Sequence, residues 1–186
     1  MTATLTAPRL PEVTLPLMDL VPPGQRHYFV DRPGPAHFKR RRYDFGCSRQ
    51  LMPLVRAFLS TCAAEYGPDY RHLFTLLGSE LANNALEHTA SGLPGGTYTL
   101  LCHRRRDGLH LTCRDSGARD GRRASLRERE HLRPDPVGLD PGSQGGRGLA
   151  LIDALATSWG DNGLVFYRQV WFFLDRDLTG SAWTTC

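Results

Sequence analysis

The stretch Ser79-Glu80-Leu81-Ala82-Asn83-Asn84-Ala85-Leu86-Glu87-His88 constrains this chain more than any other. Read as a helix, it places Glu80, Asn84 and His88 four residues apart, on one ridge. Leu73, Leu77, Leu81 and Ala85 repeat at the same spacing and form a second, apolar line. The apolar line anchors the helix to a core. The polar line is expensive to bury without partners, since an unpaired buried polar group costs a few kcal/mol. A carboxylate, an amide and an imidazole on one ridge suit a ligand that carries metal and phosphate. The competing reading is the solvated face of an ordinary amphipathic helix.

With 186 residues the chain is long enough for one domain and a tail. Nineteen glycines and 13 prolines predict several long loops. Lysine occurs once, at Lys39, so nearly all the positive charge is arginine. The net charge of +4 suits phosphate or an acidic partner but is too small to indicate nucleic acid. The five cysteines, Cys47, Cys62, Cys102, Cys113 and Cys186, are odd in number and form no CxxC. They read as reduced core residues of a cytoplasmic protein, not as a disulfide framework or zinc site. No apolar run reaches the length of a membrane span, and no secretory signal is evident at Met1.

Residues 1–40 hold seven prolines and no lasting period, and read as an extended or disordered tail. Within them Leu15 to Val21 is apolar enough to dock on a surface. Lys39 to Arg42 is a basic run, read as a solvated entry to the domain. The domain is assigned to 41–175, with 176–186 a short tail. Its expected order is a strand at Arg42–Phe45, a helix from Cys47 to Glu65, and the central helix from Tyr70 to Thr89. Two strands, Thr97–His103 and Leu109–Arg114, follow, joined through Asp107-Gly108, a hairpin signal. Residues 118–145 are too long for a plain connection and read as a lid, with a helical turn at Ser125–Leu132. A helix from Leu149 to Ser158 is expected to close at Trp159-Gly160. Strands at Gly163–Tyr167 and Gln169–Leu174 complete the series.

Three pieces therefore stand in a fixed order: the ridge of Glu80, Asn84 and His88, the strand end Asp115-Ser116-Gly117, and the turn Gly145-Gly146-Arg147-Gly148 that opens a helix. An amide oxygen such as that of Asn84 is a hard ligand suited to magnesium. A carboxylate one turn away can deprotonate an attacking hydroxyl. An aspartate at a strand end can accept from the exocyclic amine of adenine, where guanine presents a carbonyl. Glycines let backbone N–H groups approach phosphate, and the helix N-terminus that follows favours negative charge. Each signal alone has a plainer reading, as a strand-ending turn or a flexible helix cap; their order, with a lid-length loop between the last two, is specific.

The three boxes resemble the ATP-binding domain shared by DNA gyrases, histidine kinases and mismatch-repair ATPases. Glu80 to His88 looks like its first box, Asp115-Ser116-Gly117 its second, and Gly146-Arg147-Gly148-Leu149-Ala150-Leu151-Ile152 its third. Size and style are similar to the stand-alone branch, the anti-sigma-factor serine/threonine kinases and small ATP-binding regulators of actinobacteria. The resemblance implies ATP and Mg2+ as cofactors. By it Glu80 is the catalytic base and Asn84 the metal ligand. Asp115 takes the adenine amine, Gly117 shapes the pocket floor, and His88 closes the end of the site. Gly146, Gly148 and Leu149 offer N–H groups to phosphate, with Arg147 above them. The implied fold is α+β, a two-layer α/β sandwich with a mixed sheet and three main helices on one face.

The resemblance further implies protein partners, an anti-anti-sigma-like protein and a sigma factor, without direct contact to nucleic acid or membrane; it is also compatible with a homodimer. Gln169 departs from the pattern, standing where the family often has a threonine in the adenine network. Two functions follow. One is a serine/threonine protein kinase acting on a small partner protein. The alternative is a non-catalytic ATP-binding module whose lid is switched by nucleotide. A sensor-kinase fragment fits less well, because His27 and His37 lie on no helical pattern.

Overall fold

The computed structural model describes residues 16–30, 38–119, 129–136, 138–139 and 146–185. In chain order the main elements are β1 (Arg40–Gly46), α1 (Met52–Cys62), α2 (Pro68–His88), β2 (Thr97–Arg104), β3 (Gly108–Arg114), α3 (Arg147–Leu155), β4 (Ser158–Asp161) and β5 (Gln169–Asp175). Pro53 sits in the first turn of α1 and Pro68 in that of α2, where the missing N–H costs nothing.

The five strands form one sheet in the order β1-β2-β3-β5-β4. Alternate residues of β2, β3 and β5 point inward: Tyr98, Leu100 and Cys102, then Leu109, Leu111 and Cys113, then Val170, Phe172 and Leu174. Against them pack Val55, Phe58 and Leu59 of α1 and the apolar line Leu73, Leu77, Leu81 and Ala85 of α2, all buried. Gly78 lets α1 come close, since a Cβ there would stand 2.6 Å from Leu59. Tyr70 ties α2 to the sheet by accepting from Leu109 N and donating to Leu174 O. The result is the two-layer α/β sandwich expected from the sequence.

Several details differ. The sheet is antiparallel at every pairing, not mixed. β3 and β4 do run parallel, as a strand–helix–strand crossover through α3 requires, but β5 lies between them and takes both sets of hydrogen bonds. The helix before β4 ends at Leu155, and Trp159-Gly160 lies inside β4. Residues 163–167, expected as a strand, form a turn, with Gly163 and Tyr167 both at positive φ. Of the helical turn expected at 125–132, residues 125–128 lie outside the described residues and 129–132 are not helical.

The reading of 1–40 as an extended or disordered tail is corrected over 16–30. These residues form two 3-10 turns, Leu17–Leu20 and Pro23–Tyr28, laid on the domain. Val21 and Phe29 are buried. Phe29 stands edge-on to Tyr43 at 4.8 Å and packs on Phe45 and Phe58. Within the basic run, Arg41 is buried as well. It donates to Thr61 O near the end of α1 and lies over the Phe38 ring, so it is a structural link and not a solvated charge. Residues 1–15 and 31–37 lie outside the described residues.

Candidate functional site

The polar ridge of α2 faces a cavity of about 730 Å³ between α2, the ends of β3 and β5, and the start of α3. Glu80 and Asn84 are half-buried on its wall. His88, one turn further on, is largely exposed at the rim, 3.8 Å from Glu87. Burial, with Glu87 nearby, raises the carboxyl of Glu80 above its ordinary range, against a smaller opposing pull from Arg56. A raised pKa favours proton acceptance near neutrality.

The start of α3 lies directly on this ridge. A Cβ on Gly148 would stand 2.8 Å from Glu80 Oε2 and 3.1 Å from Asn84 Oδ1. Glycine lets the first turn of α3 come this near to α2 with the Glu80 carboxylate where it stands. Gly146 is the N-cap and holds φ +74°, opening the helix from a left-handed residue. Arg147 and Leu149 line the same cavity.

Asp115 closes the other end. Its carboxyl is buried, accepts from Gly117 N at 2.7 Å, and is pushed up to about 6 by that burial. The Gly117 N–H and Arg168 act in the opposite direction and do not cancel it. Gly117 holds φ +75°, and a side chain there would collide with the Val165 carbonyl. The Asp115 turn is stitched to the end of α2. Ala90 N donates to Gly117 O at 2.7 Å, and Ser116 N to Ser91 Oγ at 2.9 Å. The Arg119 guanidinium reaches Leu86 O and Thr89 O, capping the last carbonyls of α2. The ridge and the aspartate are thus held as one frame.

All nine residues singled out in the sequence, Glu80, Asn84, His88, Asp115, Gly117, Gly146, Arg147, Gly148 and Leu149, border this cavity. Thr89, Cys113, Val165, Arg168 and Val170 border it too and carried no motif. Cys113 and Val170 were reachable, because each faces inward by strand alternation next to Asp115. Gln169 is not on the wall; it pairs with Arg114 across the sheet, and its neighbours Arg168 and Val170 face the pocket instead.

From the expected lid, Glu130, Leu132, Arg133 and Asp135 also border the cavity. Asp161 secures this part. Its carboxylate accepts from Leu132 N at 2.6 Å and from Gly163 N, and it meets His131 Nδ1 at 2.9 Å.

Among the described residues no three His, Cys, Asp or Glu side chains converge as a metal cage. The donors beside the α3 N-terminus, one amide oxygen and one carboxylate, suit instead a magnesium ion that brings phosphate and water as its other ligands. Gly148 brings the N-terminus of α3, which favours phosphate, beside these donors, so the residues fit the nucleotide–magnesium pair.

No described helix is long and apolar enough to cross a membrane. The family model described as histidine kinase-like ATPase domain matches residues 48–161, from just before α1 to the end of β4. No curated protein matches the chain.

Proposed function

The chain belongs to the histidine kinase-like ATPase domain family, and from that premise we propose that it is an ATP-dependent serine/threonine protein kinase of the anti-sigma-factor type. The observation that carries this reading is Glu80 one turn from Asn84, both facing the start of α3, with burial raising the carboxyl of Glu80 above its ordinary range. Asp115 accepts the exocyclic amine of adenine, and Gly117 keeps the floor clear of side chains. The amide oxygen of Asn84 holds Mg2+, which supplies charge neutralisation at the phosphates. The N–H groups of Gly148 and Leu149 meet phosphate oxygens, with Arg147 alongside. Glu80 takes the proton of the acceptor hydroxyl as that oxygen bonds the γ-phosphorus and the bond to the β-phosphate oxygen breaks. The acceptor is a serine or threonine on a small anti-anti-sigma-like protein, and a sigma factor is the second partner.

The test pairs binding with transfer. A fluorescent ATP analogue is titrated with and without Mg2+, and γ-labelled ATP is offered with anti-anti-sigma-type proteins as acceptors. The expected result is Mg2+-enhanced binding and labelling of one acceptor on serine or threonine. Glu80→Gln is expected to keep the binding and lose about a hundredfold or more of the transfer. Binding without transfer to any acceptor, in wild type, would replace this reading with the non-catalytic module. The position of Gln169 off the cavity wall removes one motive for that alternative.

A further inference from the structure

The helices cover one side of the sheet. Among the described residues no element packs on the other side, and its composition is unusual. The solvent side of an antiparallel sheet is ordinarily polar. Here a row of rings crosses three strands. Trp171 of β5 stacks on His110 of β3 at 5.0 Å and 20°, and His110 stands edge-on to His103 of β2 at 6.4 Å. On β4, Gly160 is paired with Trp171, and a Cβ there would come 3.0 Å from the indole. Glycine at 160 thus leaves room for the indole to lie across the edge strand. Leu101 and Phe173 lie on the same side, but both are buried, so the accessible part of the centre is the row of rings.

Around this centre positive charge predominates. Arg105 lies over the Phe173 ring at 5.5 Å. Arg40, Arg42 and Arg114 stand on the same side by strand alternation. Two carboxylates stand on the described face by strand alternation: Asp44, already taken by Arg42 and Thr99, and Asp175, which accepts from Asp177 N. His103 and His110 are both held below the ordinary imidazole range, by burial first and then by these arginines, so the positive field is felt across the face.

We infer that this outer sheet face is a docking surface for a protein partner presenting acidic side chains round an apolar patch. Trp and Arg are the residues that dominate interface energetics, with a desolvated centre and a charged rim. Charge selects the occupant. A second copy would set four arginines against four, a like-charge contact that costs several kcal/mol. Single-stranded nucleic acid needs open ring faces for base stacking. Here His110 covers one face of Trp171 and Arg105 covers Phe173. The surface is independent of the kinase reading, since it lies across the sheet from the nucleotide cavity.

The test is an amide-shift titration of the full chain with a 12-residue peptide of alternating Glu and Leu, at low salt. The expected shifts gather on Arg42, Leu101, His110, Thr112 and Trp171, and the affinity falls about tenfold in each of Arg42→Glu and Arg105→Glu. Both variants are expected to keep wild-type affinity for the ATP analogue, which shows that they are folded. Shifts confined to other surfaces, or no binding by wild type, would overturn the inference. Tighter binding of a 20-residue oligothymidine at these same residues would overturn it in favour of nucleic acid. Self-association in the ultracentrifuge that both variants abolish would overturn it in favour of a second copy.

Discussion

One pKa governs both the proposed adenine contact of Asp115 and what this residue does to the stability of its own fold. Its carboxyl titrates at about 6 in the folded chain, against 3.8 when free. The folded state therefore holds a proton between those values that the unfolded chain has lost. The stability this group contributes is complete below pH 3.8 and is lost as pH rises through 6, by up to about 3 kcal/mol for a two-unit shift. Asp115→Asn keeps an acceptor for Gly117 N and cannot ionise. It is expected to raise the melting temperature of the ligand-free chain at pH 7.5, with no gain at pH 4. It is also expected to abolish binding of the ATP analogue. In wild type the affinity for that analogue should fall about tenfold from pH 7 to pH 5, as the carboxylate that accepts the adenine amine is protonated. Calorimetry and fluorescence titration at the two pH values check both halves. Asp115 was visible in the sequence as a motif. Its shifted pKa was not, because it comes from burial in the folded chain, and the residues that border the cavity with it, among them Cys113, Val165 and Val170, lie in separate segments.

At the scale of elements, the contact of α3 with α2 decides the geometry at Glu80. Gly148→Ala puts a methyl where the Glu80 carboxylate now sits, 2.8 Å away. That carboxylate ends a flexible side chain, so it yields. Alanine also favours the helix by about 1 kcal/mol over glycine, which offsets the crowding. The variant is expected to melt within a few degrees of wild type while phosphate transfer falls about a hundredfold, since a displacement near 1 Å at a reacting group costs that much. A scanning calorimeter and a transfer assay separate the two effects. The central helix, the β2–β3 hairpin and β5 were legible because period and turn chemistry agreed. β4 was not: four residues with a central glycine show no alternation, and Trp159-Gly160 reads equally well as a helix stop. The apolar run Leu164-Val165-Phe166 imitates a strand, but left-handed residues on either side of it, Gly163 and Tyr167, bend it into the turn that walls the cavity.

Across the whole molecule, the segment 16–30 belongs to the fold although its sequence resembles a tail. Proline spacing hid this, because 3-10 turns need no long period and their few apolar anchors are scattered. Phe29→Ala is expected to cost about 3 kcal/mol, the usual price of truncating a buried phenylalanine. The analogue affinity should be unchanged, as Phe29 lies on the β1–α1 side and borders no part of the cavity. Urea unfolding measures the first and fluorescence titration the second; an unmoved midpoint would mean that the segment does not hold to the domain in solution.

The place of β5 bears on how the protein is made. It is the last strand in chain order, yet it lies inside the sheet, between β3 and β4, and carries Val170 to the nucleotide cavity. During synthesis every earlier element can emerge and collapse, but the cavity has no far wall until residues 169–175 have left the ribosome. Nascent chains stalled before that point should hold a gap where a strand belongs, with the unpaired edges of β3 and β4 open to chaperones. ATP can therefore act as a folding ligand only for a chain whose translation has passed β5.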